Sequence, residues 1–310
     1  MSADSQAPTA PSIFAWIQAA RPLAAANIAL PIAFGSALAY GDQRRFDLAA
    51  LGLALGFGVI DQLFIVFAND YADADADRLN TSYNLFSGGS RVIPQGKLSR
   101  RSLGRAALLM AAVLLIYGAS VALLKHVSVW FPLTLSALGL LWAYSFRPVR
   151  LSYRGGGELL QALGLGVVLP LVGFSAQTGG LQNLSWTSLM PAFLIGYAGN
   201  VTTALPDHPA DAATGKFTYV VRATPRVARR NSLILIGCAA LATPIIVPDA
   251  GYTRTATLIA LVVALLLGNL RHIDSADADD RAGCRRFVLL NGTAISLLFA
   301  GWSALLWVGG

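Results

Sequence analysis

The chain has 310 residues and a mass of 32.6 kDa; 55% of its residues are hydrophobic, only 13% are charged, and the mean hydropathy is +0.59. Soluble domains carry about 25% charged residues, so half that fraction excludes a water-soluble enzyme, a disordered chain and a collagen-like one. The formal net charge of +7 leaves two candidate partners, nucleic acid or a membrane, and the placement of the charges separates them.

Residues 1–12 are polar, contain Asp4 and lack a basic run ahead of an apolar one, so they are expected to form a flexible tail and not a cleaved leader. Residues 13–310 are expected to form a single transmembrane domain. A membrane helix needs about 20 mostly apolar residues, and nine windows meet or approach that length. They cover roughly 22–41, 47–68, 102–124, 127–146, 158–178, 186–205, 231–248, 253–271 and 287–306, with 231–248 the weakest. These are continuous apolar runs, which excludes the alternating ten-residue segments of a β-barrel. Cys238 and Cys284 lie far apart with no metal or redox spacing and read as unpaired core residues.

Lys and Arg distribute very unequally between the two sets of loops. Nineteen flank the N-terminus or follow spans 2, 4, 6 and 8; only Arg44, Arg45, Lys125 and Arg254 fall on the other side. The positive-inside rule then places the N-terminus in the cytoplasm and, with nine spans, the C-terminus outside. A bacterial inner membrane is the expected location. The basic charge is therefore mainly a topological signal, and nucleic acid is not implied.

The acidic residues are fewer and clustered: 15 Asp and a single Glu, Glu158. At 100° per residue, Asn69, Asp70, Asp73 and Asp77 at the cytoplasmic end of span 2 fall on one stripe, while Asp75 points away. After span 6, on the same membrane face, come Asp207 and Asp211 at i, i+4, then Gly215, Lys216, Thr218 and Arg222. Carboxylates this dense need a cation, and hard oxygen ligands select Mg²⁺ or Ca²⁺. The nearby Lys216 and Arg222 argue for a phosphate-bearing ligand as well. A diphosphate held beside apolar helices implies a greasy organic part, which a prenyl diphosphate supplies.

These residues resemble the UbiA superfamily of intramembrane prenyltransferases. Asn69-Asp70-x-x-Asp73-x-x-x-Asp77 is similar to the family's first acidic motif, and Asp207-x-x-x-Asp211-x-x-x-Gly215-Lys216-x-Thr218-x-x-Val221-Arg222 to its second. Arg21-Pro22 resembles the family's opening, and Ser87-Gly88-Gly89-Ser90-Arg91 with Pro94 and Gly96 the segment after the first motif. Tyr144-Ser145, Pro148, Tyr153 and Gly157-Glu158 are similar to the span 4–5 connection of menaquinone-type members, the 1,4-dihydroxy-2-naphthoate prenyltransferases. The resemblance implies an all-α bundle of nine transmembrane helices around a central cavity capped by cytoplasmic loops. It implies that Asn69, Asp73, Asp77, Asp207 and Asp211 ligate two Mg²⁺ ions bridging to diphosphate, with Asp70 in support. Lys216, Arg222 and Arg91 would contact the diphosphate, and Arg21, Tyr153 and Glu158 would border the substrate pocket.

Asp61 lies within span 2, eight residues before Asn69 and hence about 12 Å deeper on nearly the same face. An intramembrane carboxylate is costly, so Asp61 is a candidate to deprotonate an acceptor phenol or steady a carbocation. Tyr144 could steady the same cation through its ring face, or serve as an interfacial belt residue. The acidic run Asp274, Asp277, Asp279 and Asp280 reads as a solvated loop balanced by neighbouring arginines. The expected activity is transfer of a prenyl group from its diphosphate to an aromatic, quinone-precursor-like acceptor. Two alternatives stand beside it: a membrane terpene cyclase, which needs no acceptor, and a divalent-cation transporter. The transporter would draw carboxylates from both faces to the midplane, whereas here they crowd one face.

Overall fold

The computed structural model describes residues 12–80, 89–274 and 281–309. Residues 1–11, Ser87, Gly88, Asp277, Asp279 and Asp280 lie outside the described residues. Among those described, every regular element is helical.

Among the described residues, six helical segments are long and apolar enough to cross a membrane: Ile13–Gln43, Leu48–Ala72, Arg100–Leu124, Gly157–Thr178, Tyr252–Leu270 and Arg281–Val308. The windows read at 127–146, 186–205 and 231–248 correspond to shorter helices, Trp130–Ser145, Leu189–Ala204 and Pro225–Leu241. The last departs most from its window. It starts earlier, because its first turns are basic and fall below a hydropathy threshold, and it ends at Leu241 ahead of a short turn, Thr243–Ile246. Pro244 lacks the N–H that a continuing helix would need there.

Local chemistry sets several helix ends. Asp47 caps Leu48–Ala72 by accepting from the Ala49 N–H at 2.7 Å, and Ser99 caps Arg100–Leu124 by accepting from Ser102 N–H at 3.0 Å. Gln177 then ties Asp47 to the end of Gly157–Thr178 by bonding both its N–H and its carbonyl, at 2.8 and 2.9 Å. Gly157–Thr178 is not uniform; a π-turn over Gly164–Val168 interrupts it beside the cavity.

The helices close into a ring. Leu48–Ala72 packs on Arg100–Leu124, Leu189–Ala204 on Pro225–Leu241, and Arg281–Val308 returns to Ala26–Gln43. The tightest crossing joins Ala26–Gln43 to Leu169–Thr178. A Cβ at Gly35 would overlap the Pro170 carbonyl, and one at Gly173 would overlap the Ile32 carbonyl. Small residues thus allow backbone-to-backbone contact, the usual basis of helix association where lipid removes any hydrophobic drive. The outer faces are apolar: Leu108, Leu109, Ile116 and Leu123 of Arg100–Leu124 are all more than half exposed. Such a surface suits hydrocarbon and not water.

Candidate active site

A cavity of about 310 Å³ opens inside the ring. Its walls come from the start of Ala26–Gln43 and from Leu48–Ala72, Trp130–Ser145, Gly157–Thr178 and Leu189–Ala204, and its mouth from Arg21 and the segments after Leu48–Ala72, Trp130–Ser145 and Leu189–Ala204. Of the residues singled out in the sequence, Arg21, Asp61, Asn69, Asp70, Asp73, Asp77, Tyr144, Glu158, Asp207, Asp211 and Lys216 all line it. Arg91, Tyr153 and Arg222 do not, although each lies against a residue that does.

The first acidic stripe survives a break in its helix. Leu48–Ala72 ends at Asp73 and a short helix, Ala74–Leu79, carries Asp77 onward. The Asp77 N–H still donates to the Asp73 carbonyl at 2.8 Å, so the helical phase is kept. Asp75 points away as the periodicity predicts: it is exposed and pairs with Arg100 at 3.1 Å.

Several of the mouth carboxylates are held by named partners. Asp70 is gripped by the Arg21 guanidinium and by the hydroxyl and N–H of Ser90. Asn80 donates to Asp207 at 2.8 Å. The ammonium of Lys216 stands between the two motifs, 2.8 Å from Asp73 and 3.7 Å from Asp211. By contrast, Asn69 Oδ1 is buried at the cavity wall without a hydrogen-bond partner. Among the described residues no three His, Cys, Asp or Glu converge on one point that could hold a metal ion. The acidic groups face one another across the mouth instead, with Lys216 balancing them.

The electrostatics follow from this crowding. Burial pushes the Asp77 carboxyl up to about 7, reinforced by Asp73 and Asp70 and only partly offset by Lys216 and Arg21. Burial likewise raises Asp211 to about 7, with Lys216 opposing the shift. Burial works against the charge on Lys216, but Asp73 and Asp211 outweigh it and raise its pKa. The mouth therefore crowds buried carboxyl groups whose negative charge is relieved either by protons or by added cations.

The remaining candidates hold the frame. Arg91 donates to the Asp77 carbonyl. Glu158 accepts from the Tyr219 N–H and lies 3.7 Å from Arg222, so these two join the cavity wall to the segment carrying Lys216. The Tyr153 ring sits 3.5 Å from the Arg150 guanidinium carbon and 5.7 Å from the Lys216 ammonium. Tyr144 lies over Gly157, where any Cβ would press on the ring.

Sequence reading missed Gln62, Asn27 and Gln161 as cavity residues, and Asn80 as the partner of Asp207. Gln62 carried a signal, a polar side chain within a membrane span beside Asp61. The Asn80–Asp207 bond did not, because its partners are 127 residues apart.

The comparisons with known proteins agree with this architecture. The model of the UbiA prenyltransferase family matches residues 28–308. A bacteriochlorophyll synthase 34 kDa chain from Chloroflexus aurantiacus is 28% identical over 243 residues, covering 76% of this chain and 70% of that one. Among solved structures, a UbiA homolog from Archaeoglobus fulgidus bound to GPP and Mg²⁺ superposes with a TM-score of 0.65 at 20% identity, covering 93% of this chain and 99% of that one. The apo structure of a UbiA homolog from Aeropyrum pernix K1 gives 0.67 at 19% identity, covering 89% and 96%. With the matched family model spanning nearly the whole chain, this protein belongs to the UbiA prenyltransferase family.

Proposed function

We propose that the protein is a Mg²⁺-dependent prenyltransferase that moves a prenyl group from its diphosphate to an aromatic, quinone-precursor-like acceptor inside the membrane. One observation carries the reading: a single cavity has two facing acidic motifs with Lys216 at its mouth and apolar walls leading down to Asp61.

The donor set fits Mg²⁺. Asn69, Asp73, Asp77, Asp207 and Asp211 offer hard oxygens, and the unpartnered Asn69 Oδ1 is a ready ligand. Bound Mg²⁺ supplies positive charge that stabilises the leaving diphosphate. Lys216 adds to that charge from the protein side, and Arg21 holds Asp70 in place.

Breaking the C1–O bond sends its electron pair to the diphosphate and leaves an allylic cation in the apolar part of the cavity. Leu140, Leu141, Leu165 and Val168 exclude water there, and the Tyr144 ring faces the same space. An electron-rich ring carbon of the acceptor forms the new C–C bond and then loses its proton. Asp61 takes the proton of the acceptor hydroxyl as the ring attacks, and returns it to that oxygen when the ring C–H proton leaves to water at the mouth, so one proton is released per turnover. In this reading nine helices span the bilayer of a bacterial inner membrane, with the cavity mouth and N-terminus cytoplasmic and the C-terminus outside.

Product analysis tests the proposal. The purified protein would be incubated with C10 to C20 prenyl diphosphates and Mg²⁺, with and without a panel of phenols and naphthols. The expected result is a prenylated ring that requires both Mg²⁺ and the acceptor. Terpene hydrocarbon or alcohol formed equally well without any acceptor would establish a cyclase instead.

A further inference from the structure

Two side chains at the deep end of the cavity have no partner within the protein. Asp61 and Gln62 are 4% and 7% exposed, and both line the cavity. Asp61 Oδ1 and Gln62 Nε2 are fully buried without a hydrogen-bond partner. Burying such groups unpaired is costly, so their placement is best explained by a ligand that satisfies them. The nearby amides Asn200 and Gln161 bond to each other, and neither bonds to Asp61 or Gln62.

The position sets what that ligand can be. Asp61 and Gln62 lie about two helical turns below Asn69, roughly 10 Å from the acidic mouth. A hydrocarbon tail seated here would leave both polar atoms unpaired. The only cations among the described cavity residues are Arg21 and Lys216, and both are bound to carboxylates at the mouth. A carboxylate on the deep end of the acceptor would thus be buried with no counter-charge, beside another carboxyl group. A hydroxyl is neutral and both donates and accepts, so it can give its hydrogen to Asp61 and receive one from Gln62.

Resting on the prenyltransferase reading, we propose that Asp61 and Gln62 form an acceptor-recognition pair. The pair selects a ring whose deep end bears a neutral hydroxyl and rejects the same ring bearing a carboxylate there. Gln62 is thereby a specificity-determining residue, and the acceptor class narrows to uncharged hydroxylated rings.

The test compares matched acceptors, a hydroquinone and a naphthol against the corresponding hydroxybenzoate and hydroxynaphthoate. Steady-state kinetics would be run on the full-length protein in lipid nanodiscs, for wild type, Gln62→Leu, Gln62→Met and Asp61→Asn. Wild type is expected to favour the hydroxyl-only rings by about tenfold or more in kcat/KM. Both Gln62 variants should raise the acceptor KM by about tenfold while the KM for prenyl diphosphate stays constant. Asp61→Asn should lower turnover and narrow the gap between neutral and carboxylated rings. A wild-type preference for carboxylated rings, or Gln62 variants with unchanged acceptor KM, would overturn the inference. So would a rise in both KM values together, which marks a merely structural defect. Diphosphate release measured in the same reactions separates the two levels: release with carboxylated rings preferred refutes only the recognition pair. No release with any acceptor refutes the prenyltransferase reading and the pair with it.

Discussion

Lys216 concentrates the chemistry of the site in one side chain, because it is the ammonium shared by the two acidic motifs. In the proposed reaction, replacing it removes a positive charge beside the leaving diphosphate. Lys216→Met is therefore expected to lower kcat by about 10²-fold, with a smaller effect on the acceptor KM, in steady-state assays. The neighbouring carboxylates give a pH dependence with a defined sign. Asp77 and Asp211 are raised from the ordinary value of 3.8 to about 7, so in the metal-free protein protons compete with cations for both. Stability of the metal-free protein should fall as pH climbs from 3.8 to about 7, since the unfolded chain ionises there more easily than the folded one. Mg²⁺ should restore what is lost. Its apparent affinity should rise by up to about tenfold per pH unit for each proton displaced until roughly pH 7, then level off. Mg²⁺ titrations monitored by melting temperature at several pH values check both slopes. The acidic stripe was legible in the sequence because helical periodicity alone aligns Asn69, Asp70, Asp73 and Asp77. The Glu158–Arg222 pair was not, because only the folded ring brings those two side chains together.

At the scale of elements, two glycines show how little room the packing leaves. Gly173 and Gly35 let Leu169–Thr178 and Ala26–Gln43 meet backbone to backbone. Gly173→Leu should destabilise the fold by more than about 3 kcal/mol, since the colliding atoms are backbone and cannot turn aside. Loss of a monodisperse peak in detergent chromatography would report it. Gly89 differs, because its φ of +72° favours glycine and its missing Cβ leaves space for the Asp77 carboxylate. Gly89→Ala should displace Asp77 and weaken Mg²⁺-dependent prenyl diphosphate binding by about tenfold, with acceptor binding unaffected. Isothermal titration of each ligand checks this. Long apolar helices were readable from hydropathy windows, which is why eight of the windows lie close to observed helices. The Pro225–Leu241 helix was misplaced because its basic first turns and the break before Pro244 violate the uniform apolarity that such windows assume. The π-turn at Gly164–Val168 had no sequence signature at all, since it depends on how the helix fits its neighbours.

For the whole molecule, charge asymmetry and site position make one joint statement. Nearly all basic residues and both acidic motifs belong to loops on the same side of the sequence-derived topology. The proposed orientation predicts that a C-terminal alkaline phosphatase fusion is active and a C-terminal green fluorescent protein fusion is dark, the pattern of an external C-terminus. With nine spans, the reverse pattern would place the site outside, away from a cytoplasmic supply of prenyl diphosphate. The central claim is that the two acidic motifs, far apart in sequence, form one Mg²⁺-diphosphate site. Equilibrium binding of a radiolabelled prenyl diphosphate to wild type, Asp73→Asn and Asp211→Asn, with Mg²⁺ or with chelator, tests it most directly. Binding should require Mg²⁺ in the wild type and fall by about a hundredfold or more in either variant. Undiminished binding in chelator, or in either single variant, would contradict the account.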